Sequence, residues 1–408
     1  MTGALQGLRV LDLTRVLAGP WCSQNLADLG AEVIKLERPG SGDDTRAWGP
    51  PYLKDGTGQD TSEAAYYLAA NRGKKSITLD LSLPEARETV RRLAAISDVF
   101  MENYKVGDMA RFDLAWENLK QINPRLVYCS ITGFGQVGPL AARPGYDFMI
   151  QGMGGLMSIT GEGDEAPGGG PQKVGVAVAD LMTGMYATVA ILAALHHRER
   201  TGEGQFIDMA LFDCQVAMLA NINMNYLVSG QAPRRLGNAH ANIVPYQVFE
   251  AADGHLILAV GNDAQFARLC ELAGRPEWPL DDRFATNAAR VRHREILVPM
   301  VAECLRQRSR DQWLEALEAA GVPCGPINRL DQVFAHPQVV AREMRVDLPH
   351  PQAGSVPLVG SPMKLSATPV NYDLPPPLLG QHNHEILGGL LGLSATQIEA
   401  LTQARHKS

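Results

Sequence analysis

One acidic residue, Asp180, lies inside a long apolar stretch, and its position makes it the first candidate for chemistry. The stretch KVGVAVADLMTGMYATVAILAALHHRE runs from Lys173 to Glu199, and Asp180 is its only acid before Glu199. Transfer of a carboxylate into apolar surroundings is costly, so a lone acid in this stretch needs a reason. A carboxylate is also one of the side chains that enzymes use as a covalent nucleophile.

Two roles are open for Asp180. Aspartate is a favoured N-cap residue, and a cap stabilises a helix by about 1 kcal/mol. The second role is nucleophilic, because a carboxylate with a reference pKa of about 3.9 is ionised at neutral pH and attacks without a separate base. Thr183 lies three residues on, and we expect the amides of the first helical turn to hold the anion. The two roles are compatible, since a capping acid is also a positioned one.

Composition and charge exclude several other classes of site. The six cysteines are widely scattered and form no CxxC or Cys/His cluster, so we expect neither a metal site nor a disulfide framework. The formal net charge of −7 argues against general nucleic-acid binding, but it leaves room for an anionic small molecule at a local basic patch. The N-terminal residues show no signal pattern and no apolar run is long enough to span a membrane, so we expect a cytoplasmic protein without a membrane segment.

The elements that must position Asp180 follow a regular alternation in the first half of the chain. A strand, a helix and a second strand are indicated by GLRVLDLTRV, AGPWCSQNLADLG and AEVIKLE, and together they make a βαβ unit. The alternation continues through KKSITLDL, LPEARETVRRLAAI, SDVFMEN and PRLVYCSITGFG. This pattern predicts an α/β fold with a Rossmann-like parallel sheet and helices on both faces.

The same βαβ unit does not indicate a dinucleotide site. Its first turn reads TRVLAGPWC instead of GxGxxG, so it lacks the glycines that let a pyrophosphate approach the helix. Pro20 also removes one amide donor there. No GxxxxGK[ST] motif occurs anywhere in the chain, and the phosphate loop of nucleotide-hydrolysing enzymes is rejected on the same ground.

The second half of the chain has a different pattern. A hairpin is predicted around Asp253 and Gly254, followed by three helical stretches, which indicates a smaller α+β domain. We also predict one helix in FDCQVAMLANINMNYL, one in DQVFAHPQVVAREM, and a long Pro-rich wrapping tail after them. The predicted domains are therefore a large Rossmann-like domain at 1–224, a small α+β domain at 225–330, and a linker and tail at 331–408 that return to the large domain.

Several blocks taken together resemble a known family. The blocks are LDLTRVLAGPWCSQNLADLGAEVIKLERPGSGDDTR, NRGKKSITLDL, DVFMENYKVG, SITGFGQVGP, DLMTGMYATVAILAAL and RTGEGQFIDMALFD. In this order and spacing they resemble the family III CoA-transferases, also called CaiB/BaiF proteins, over nearly the whole chain. The stretches RLGNAHANIVPYQVF and PPPLLGQH look most like the dicarboxylate branch of that family.

The resemblance implies a reaction and a partner. Asp180 matches the aspartate that the family uses as nucleophile, which attacks a donor acyl-CoA to give an aspartyl anhydride and then an aspartyl-CoA thioester. The dicarboxylate branch implies succinyl-CoA as donor and an acid such as glutarate as acceptor. Coenzyme A is then a substrate, with no permanently bound cofactor, and an interlocked homodimer is expected.

The resemblance also implies a binding site for coenzyme A, carried over position by position. Val16 and Ala18 are expected to line the nucleotide cleft, and Leu79 is expected to make an apolar contact with the adenine. Arg38 is expected at the adenosine end. The pyrophosphate and pantetheine arm is expected against Asn103, Tyr104, Lys105, Arg111 and Tyr146. Taken singly, Arg38, Lys105 and Arg111 are better explained as solvated surface charges.

Two alternative functions stay open at this stage. One is an acyl-CoA racemase on the same scaffold, and the other is a CoA-binding protein without turnover. Tyr146 stands where racemase relatives carry a histidine, and a tyrosine with a pKa of about 10 is a poor base for an α-proton. The neighbouring Asp147 is interpreted as an ordinary acid at a helix N-terminus.

A dicarboxylate substrate also requires a cation for its far carboxylate. The candidates are Arg15, Arg46, Arg72 and His240. Arg15 is placed at the end of the first strand, where ligands of α/β proteins bind. A charge-assisted pair with one or two of these residues would distinguish dicarboxylates from monocarboxylates.

Overall fold

A computed structural model describes residues 3–403. Within those residues the chain divides into two units, one formed by residues 3–154, 175–219 and 337–403 and the other by residues 155–174 and 220–336. The first unit therefore gives way to the second just before the predicted boundary at 224. Residues 155–174, which the sequence analysis placed in the large domain, pack instead with the second unit.

The first unit is built on a six-stranded parallel sheet. In chain order the strands are Arg9–Asp12, Glu32–Glu37, Lys74–Thr78, Val99–Glu102, Val127–Thr132 and Phe206–Ala210. Across the sheet they lie in the order three, two, one, four, five, six, and every pair is parallel. This is the doubly wound order of Rossmann-type folds, in which the winding direction reverses between strands one and four.

Helices cover both faces of the sheet because the strand side chains are apolar on both faces. Leu11, Ile34 and Phe100 point into one core. The adjacent apolar residues of the same strands point into the opposite core, and they are Val10, Val33, Val99 and Met101. The helices of this unit are Ala18–Asp28, Ala65–Leu68, Pro84–Ala95, Asp108–Arg111, Trp116–Ile122, Asp147–Met153, Val178–Thr201, Leu211–Met218, Pro337–Ala341 and Ala395–Thr402. The parallel sheet with helices on both faces confirms the predicted α/β class.

The helix Val178–Thr201, called the long helix below, carries Asp180. Its length and composition would allow it to cross a membrane, although the sequence analysis found no apolar run of that length. Its side chains Ala187, Ile191 and Ala194 are buried in the same core as the helix Ala18–Asp28. Half of its most apolar window is buried inside the protein, as in the core helix of a globular domain.

Two short strand pairs and the chain's end complete the first unit. The antiparallel pairs are Tyr52–Lys54 with Asp60–Ala64, and Arg345–His350 with Gly354–Val359. The second pair lies where the sequence analysis predicted only a wrapping tail. After it, a π-helical turn at His384–Gly388 and the helix Ala395–Thr402 bury apolar side chains against the sheet.

The second unit is a small α+β structure around its own core. Its sheet joins Tyr246–Ala251, Gly254–Ala259 and Cys324–Pro326, and the first two strands form the predicted hairpin. Its helices are Leu156–Ile159, Ala220–Ser229, Asp263–Leu272, Asn287–Arg292, Arg294–Leu305, Arg310–Ala319 and Leu330–Ala335.

Two helices that the sequence analysis predicted as continuous are broken. The first is interrupted between Leu211–Met218 and Ala220–Ser229, where Ala220 adopts a positive φ of 43°. The second is interrupted at His336, because Pro337 disfavours helical geometry in the residue before it.

Candidate active site

A cavity lies at the carboxyl ends of the sheet strands in the first unit. It is lined by residues 15–18, 103–106, 131–133 and 141–146, together with Asp44, Asp180 and Leu211. The first two segments follow strands one and four, between which the winding of the sheet reverses. This is the position at which doubly wound α/β folds bind their ligands.

Asp180 is the third residue of the long helix and is not its N-cap. The cap position is Ala177, which provides no side-chain hydrogen bond. The predicted capping role of Asp180 is therefore wrong in detail. The carboxylate that satisfies this helix N-terminus comes from Asp147, whose Oδ1 accepts hydrogen bonds from the amides of Ala179 at 2.8 Å and Asp180 at 3.4 Å.

Asp147 is held in place by a second contact. It begins the helix Asp147–Met153, and its Oδ2 accepts a hydrogen bond from Nε2 of Gln151 one turn later, at 2.7 Å. Both carboxylate oxygens of Asp147 are thus engaged. Its role is more specific than the ordinary helix-terminal acid that the sequence suggested, because it caps a second helix.

Asp180 itself is buried without such support. Its exposed fraction is 8%, and within residues 3–403 no group donates a hydrogen bond to its carboxylate. Burial raises the pKa of Asp180 to about 7, and the negative charge of Asp147 adds to the increase. The first-turn amides predicted to hold the Asp180 anion are taken by Asp147, so the expectation of an ordinary ionised carboxylate at neutral pH is also wrong.

The cavity brings together eight of the residues singled out from the sequence. They are Arg15, Val16, Ala18, Asn103, Tyr104, Lys105, Tyr146 and Asp180. Three other residues expected to contact coenzyme A lie outside this lining. Leu79 is buried in the apolar core, whereas Arg38 and Arg111 are exposed on the surface.

Arg46 is not available to a substrate, contrary to the sequence-based prediction. Its guanidinium forms a bidentate pair with the buried Glu37, with Nε to Oε1 and Nη2 to Oε2 both at 2.8 Å, and donates to the hydroxyl of Tyr67. Glu63 lies 3.5 Å from its Nη1. These partners use the donors that a substrate carboxylate would need.

Arg72 is likewise committed to a structural pair. Its Nε and Nη2 donate to the two carboxylate oxygens of Asp28 at 2.8 and 2.6 Å, and its Nη1 donates to the carbonyl of Val359. Both partners of this pair are buried. Through its bond to the Val359 carbonyl, Arg72 anchors the strand pair that ends at Val359. It is not among the residues that line the cavity.

The remaining predicted cation, His240, belongs to the second unit. There its Nδ1 accepts a hydrogen bond from the amide of Asn242 at 3.0 Å. Arg294 donates to the carbonyls of His240 and Ala241, and Asn287 donates to that of Asn242. The loop that contains His240 is therefore held by several side chains.

Sequence reasoning missed one cation of the cavity. Arg143 lines it, and in residues 3–403 no carboxylate lies within ion-pair distance of this guanidinium, which contacts the sulphur of Met149 and the ring of Phe134. Arg15, by comparison, has a carboxylate neighbour, Asp44, at 3.3 Å. The signal for Arg143 was its place three residues before Tyr146, in a segment already assigned to the site.

Comparison with known proteins identifies close similarity over nearly the full length. Residues 5–383 match the model of CoA-transferase family III. A succinate–glutarate CoA-transferase of Agrobacterium fabrum is 54% identical over 96% of this chain and 97% of its own. The human succinyl-CoA:glutarate CoA-transferase is 44% identical over 98% of this chain and 89% of its own.

A solved structure shows the same fold. The crystal structure of a CaiB/BaiF family protein from Brucella suis superposes with a TM-score of 0.82 at 52% sequence identity. The superposition covers 96% of this chain and all of that one. The parallel sheet described above therefore belongs to a fold that has been determined by experiment in a similar protein.

Proposed function

The chain belongs to CoA-transferase family III, and from that membership we propose that it transfers coenzyme A from succinyl-CoA to glutarate through Asp180. The observation that supports this most directly is the carboxylate of Asp180, which is buried, has no donor among the described residues, and lines the cavity at the switch point of the sheet. A carboxylate that is poorly stabilised in the resting protein gains from becoming a neutral ester, anhydride or thioester.

The reaction needs no net proton and no permanently bound cofactor. The Asp180 carboxylate oxygen attacks the succinyl carbonyl carbon, the C–S bond breaks, and the products are an aspartyl–succinyl anhydride and CoA thiolate. The thiolate then attacks the aspartyl carbonyl, which releases succinate and leaves an aspartyl-CoA thioester. Glutarate repeats the two steps in reverse order, so glutaryl-CoA leaves and the Asp180 carboxylate is regenerated.

The choice of glutarate rests on the Agrobacterium fabrum and human relatives described above, whose names both include this acid. Within the cavity, Arg15 and Arg143 are the guanidinium groups left to pair with the far carboxylate of such an acid, because Arg46 and Arg72 are committed elsewhere. A charge-assisted pair contributes about 1.5–3 kcal/mol, which corresponds to a preference of roughly ten to a hundred fold.

Kinetics with paired acceptors test this assignment. Arg143→Ala and Arg15→Ala are expected to raise KM for glutarate by roughly ten fold or more, but KM for a monocarboxylate such as butyrate much less. If a substitution raises KM for glutarate and KM for butyrate equally, the arginine that was replaced does not bind the second carboxylate.

Covalent trapping tests the role of Asp180. Wild-type protein incubated with succinyl-CoA and quenched with hydroxylamine is expected to carry a hydroxamate on the peptide that contains Asp180, as detected by mass spectrometry. Asp180→Asn is expected to show no such peptide and no transfer. An unmodified Asp180 peptide in a preparation that transfers CoA would refute the aspartyl intermediate.

We also propose a homodimer in the cytoplasm. The helix Ala220–Ser229 buries none of its residues, although Met224, Leu227 and Val228 are large apolar side chains, and exposed apolar clusters of this kind mark interfaces. The six cysteines are free thiols, which suits a reducing compartment. Sedimentation at micromolar concentration is expected to give the dimer mass, and a monomer would contradict this proposal.

A further inference from the structure

The turn after the first strand contains a strained residue in the wall of the cavity. Val16 has a φ of 72° and lines the cavity. A positive φ is uncommon for any residue other than glycine, and for a β-branched side chain it is an outlier. Such conformations persist where the surrounding structure enforces them, and they cluster at sites that bind ligands. The contacts that enforce this one can be identified.

Two side chains hold the turn directly. Oδ1 of Asp43 accepts a hydrogen bond from the amide of Val16 at 3.2 Å, and Nζ of Lys35 donates to the carbonyl of Thr14 at 2.9 Å. Lys35 and Asp43 are themselves paired at 2.9 Å, and both side chains are fully buried. Neither belongs to the cavity lining. They therefore fix the main chain on both sides of Arg15 from beneath the cavity wall.

Arg15 is fixed by a third side chain. Oδ1 of Asn103 accepts a hydrogen bond from the amide of Arg15 at 3.1 Å, and Nδ2 of Asn103 donates to the Arg15 carbonyl at 2.8 Å. Asn103 follows strand four, so this contact ties the ends of the two strands between which the cavity opens. The turn is consequently bound at three successive residues.

The charges of the Lys35–Asp43 pair are retained despite burial. Burial alone would raise the pKa of Asp43, but the charge of Lys35 and the donors around it outweigh burial and lower that pKa to about 2. The backbone amide of Thr45 also donates to Asp43. Asp43 thus presents an ionised acceptor to Val16 throughout the neutral pH range.

The strained turn leads directly into the first helix. Leu17 is the N-cap of Ala18–Asp28 and provides no side-chain hydrogen bond, and both Leu17 and Ala18 line the cavity. A helix N-terminus that no side chain caps leaves first-turn amides for an anionic ligand. The conformation of Val16 therefore decides where this helix start lies relative to the cavity.

We propose that Lys35 and Asp43 are positioning residues for binding of the coenzyme A thioester. They hold Val16 in the conformation that places residues 15–18 in the cavity wall, and they do so without touching the ligand. This inference rests on the proposed function, because it assumes that the cavity binds coenzyme A.

Calorimetric titration with free coenzyme A tests the inference. Asp43→Ala is expected to raise Kd by about 5 to 150 fold, the range that corresponds to the strain of one such residue. In a Val16→Gly background the same substitution is expected to raise Kd much less, since glycine adopts a positive φ without strain. Val16→Gly alone supplies the reference Kd against which the double variant is compared.

A matched control separates positioning from general stability. Asp28→Asn weakens a buried ion pair of the same unit, the one with Arg72, and is expected to lower the unfolding temperature but leave Kd for coenzyme A unchanged. If Asp43→Ala does not fold, Asp43→Asn serves instead, because it keeps an acceptor for Val16 and removes the charge that binds Lys35. Its expected Kd lies between those of the wild type and Asp43→Ala.

The outcomes distinguish the two levels of the proposal. A wild-type protein that does not bind coenzyme A would overturn the proposed function and this inference with it. Wild-type binding together with an unchanged Kd in Asp43→Ala would overturn the inference alone. An equal effect of Asp43→Ala in the wild-type and Val16→Gly backgrounds would show that strain at Val16 is not what the pair controls.

Discussion

Asp147, and not Asp180, accepts the hydrogen bonds from the amides at the N-terminus of the long helix. The result is one acid with both oxygens engaged and another, among the described residues, with none. Carboxylates without donors in a dry site are raised in free energy, which favours their conversion to neutral acyl derivatives. At the scale of single residues, the proposed nucleophile therefore lacks the amide donors that its neighbour Asp147 occupies.

The pH dependence of acylation should report this arrangement. In the proposed mechanism the attacking species is the ionised carboxylate, so the single-turnover rate of succinate release is expected to rise with pH around a midpoint of about 7, the pKa of Asp180. Asp147→Asn removes the neighbouring charge but not the burial, and we expect the midpoint to move to lower pH while staying above the reference value. Rapid-quench detection of free succinate measures it.

A second cavity acid is the matched control for that experiment. Asp44 lines the same cavity but does not contribute to the pKa of Asp180. Asp44→Asn is therefore expected to leave the midpoint in place. If Asp147→Asn and Asp44→Asn give the same midpoint as the wild type, Asp147 does not tune the nucleophile.

The raised pKa of Asp180 also has a consequence for stability. The pKa of this carboxyl is ordinarily 3.8 and is about 7 in the folded protein, so the folded state binds the proton more tightly, and this contribution is lost as pH rises through about 7. Asp180→Asn is expected to gain stability relative to the wild type by on the order of 2–3 kcal/mol between pH 5 and pH 8. Urea denaturation at both pH values measures the difference, and an equal offset at both would contradict it.

Sequence reasoning singled out Asp180 but did not predict its surroundings. The residue stood out because a lone acid in an apolar run is visible in a local window. Asp147 lies 33 positions earlier, and the competition between the two acids appears only when their helices are packed together. Arg46 and Arg72 were misassigned for the same reason, since their carboxylate partners Glu37 and Asp28 lie 9 and 44 positions earlier in the chain.

At the scale of elements, the site depends on how closely two helices approach. The long helix packs on the helix Ala18–Asp28 with Gly184 at the contact, where an added Cβ would lie 2.7 Å from the carbonyl oxygen of Ala18 and 3.1 Å from Cβ of Trp21. Ala18 and Asp180 both line the cavity. The absence of a side chain at Gly184 therefore sets the separation of the two walls.

Gly184→Ala should disturb both stability and binding. The new methyl group meets backbone, which cannot yield as a flexible side chain can, and overpacking of this kind costs about 1–3 kcal/mol. We expect a lower free energy of unfolding and weaker coenzyme A binding, measured by urea denaturation and calorimetry. Gly389→Ala is the control, since nothing lies within 4 Å of its added Cβ, and a similar loss in both variants would refute the argument.

Elements that are defined by interactions between residues close in sequence could be predicted, whereas those without a local signal could not. The βαβ pattern and the hairpin at Asp253 and Gly254 were predicted, because their periodicity and turn residues are local. The break at His336 had a readable signal in Pro337, which was overlooked. The break at Ala220 had none, because alanine favours the helix and its residue type does not indicate the positive φ of 43° found there.

At the scale of the whole chain, residues 382–387 close an edge of the central sheet. The edge strand Lys74–Thr78 would otherwise expose unpaired amides and carbonyls, which invites pairing with other chains. His382 donates its amide to the Ser76 carbonyl, and Asn383 accepts from the amide of Thr78 at 2.8 Å. Ile386 and Leu387 are buried in the core beneath. The sequence predicted that the tail returns to this unit but not where, since the two sides of the contact are far apart in the chain.

The closing contact also contains a titratable group. Nδ1 of His382 accepts a hydrogen bond from the amide of Ser76 at 3.1 Å, which requires the neutral ring. Burial lowers the pKa of His382 below its usual value of 6.5, although Glu385 opposes the change. The stabilisation is therefore fully present above pH 6.5 and is lost as pH falls through the lower folded pKa, when the unfolded chain binds the proton first.

His382→Asn is expected to remove this part of the pH dependence. The asparagine oxygen can accept the Ser76 amide in place of Nδ1 but does not titrate, so the variant should lose less stability than the wild type between pH 7 and pH 5. His384→Asn is the matched control, because His384 is exposed two residues away and should leave the wild-type profile unchanged. Parallel profiles for wild type and His382→Asn, measured by urea denaturation across that range, would show that the tail is held by its apolar contacts alone.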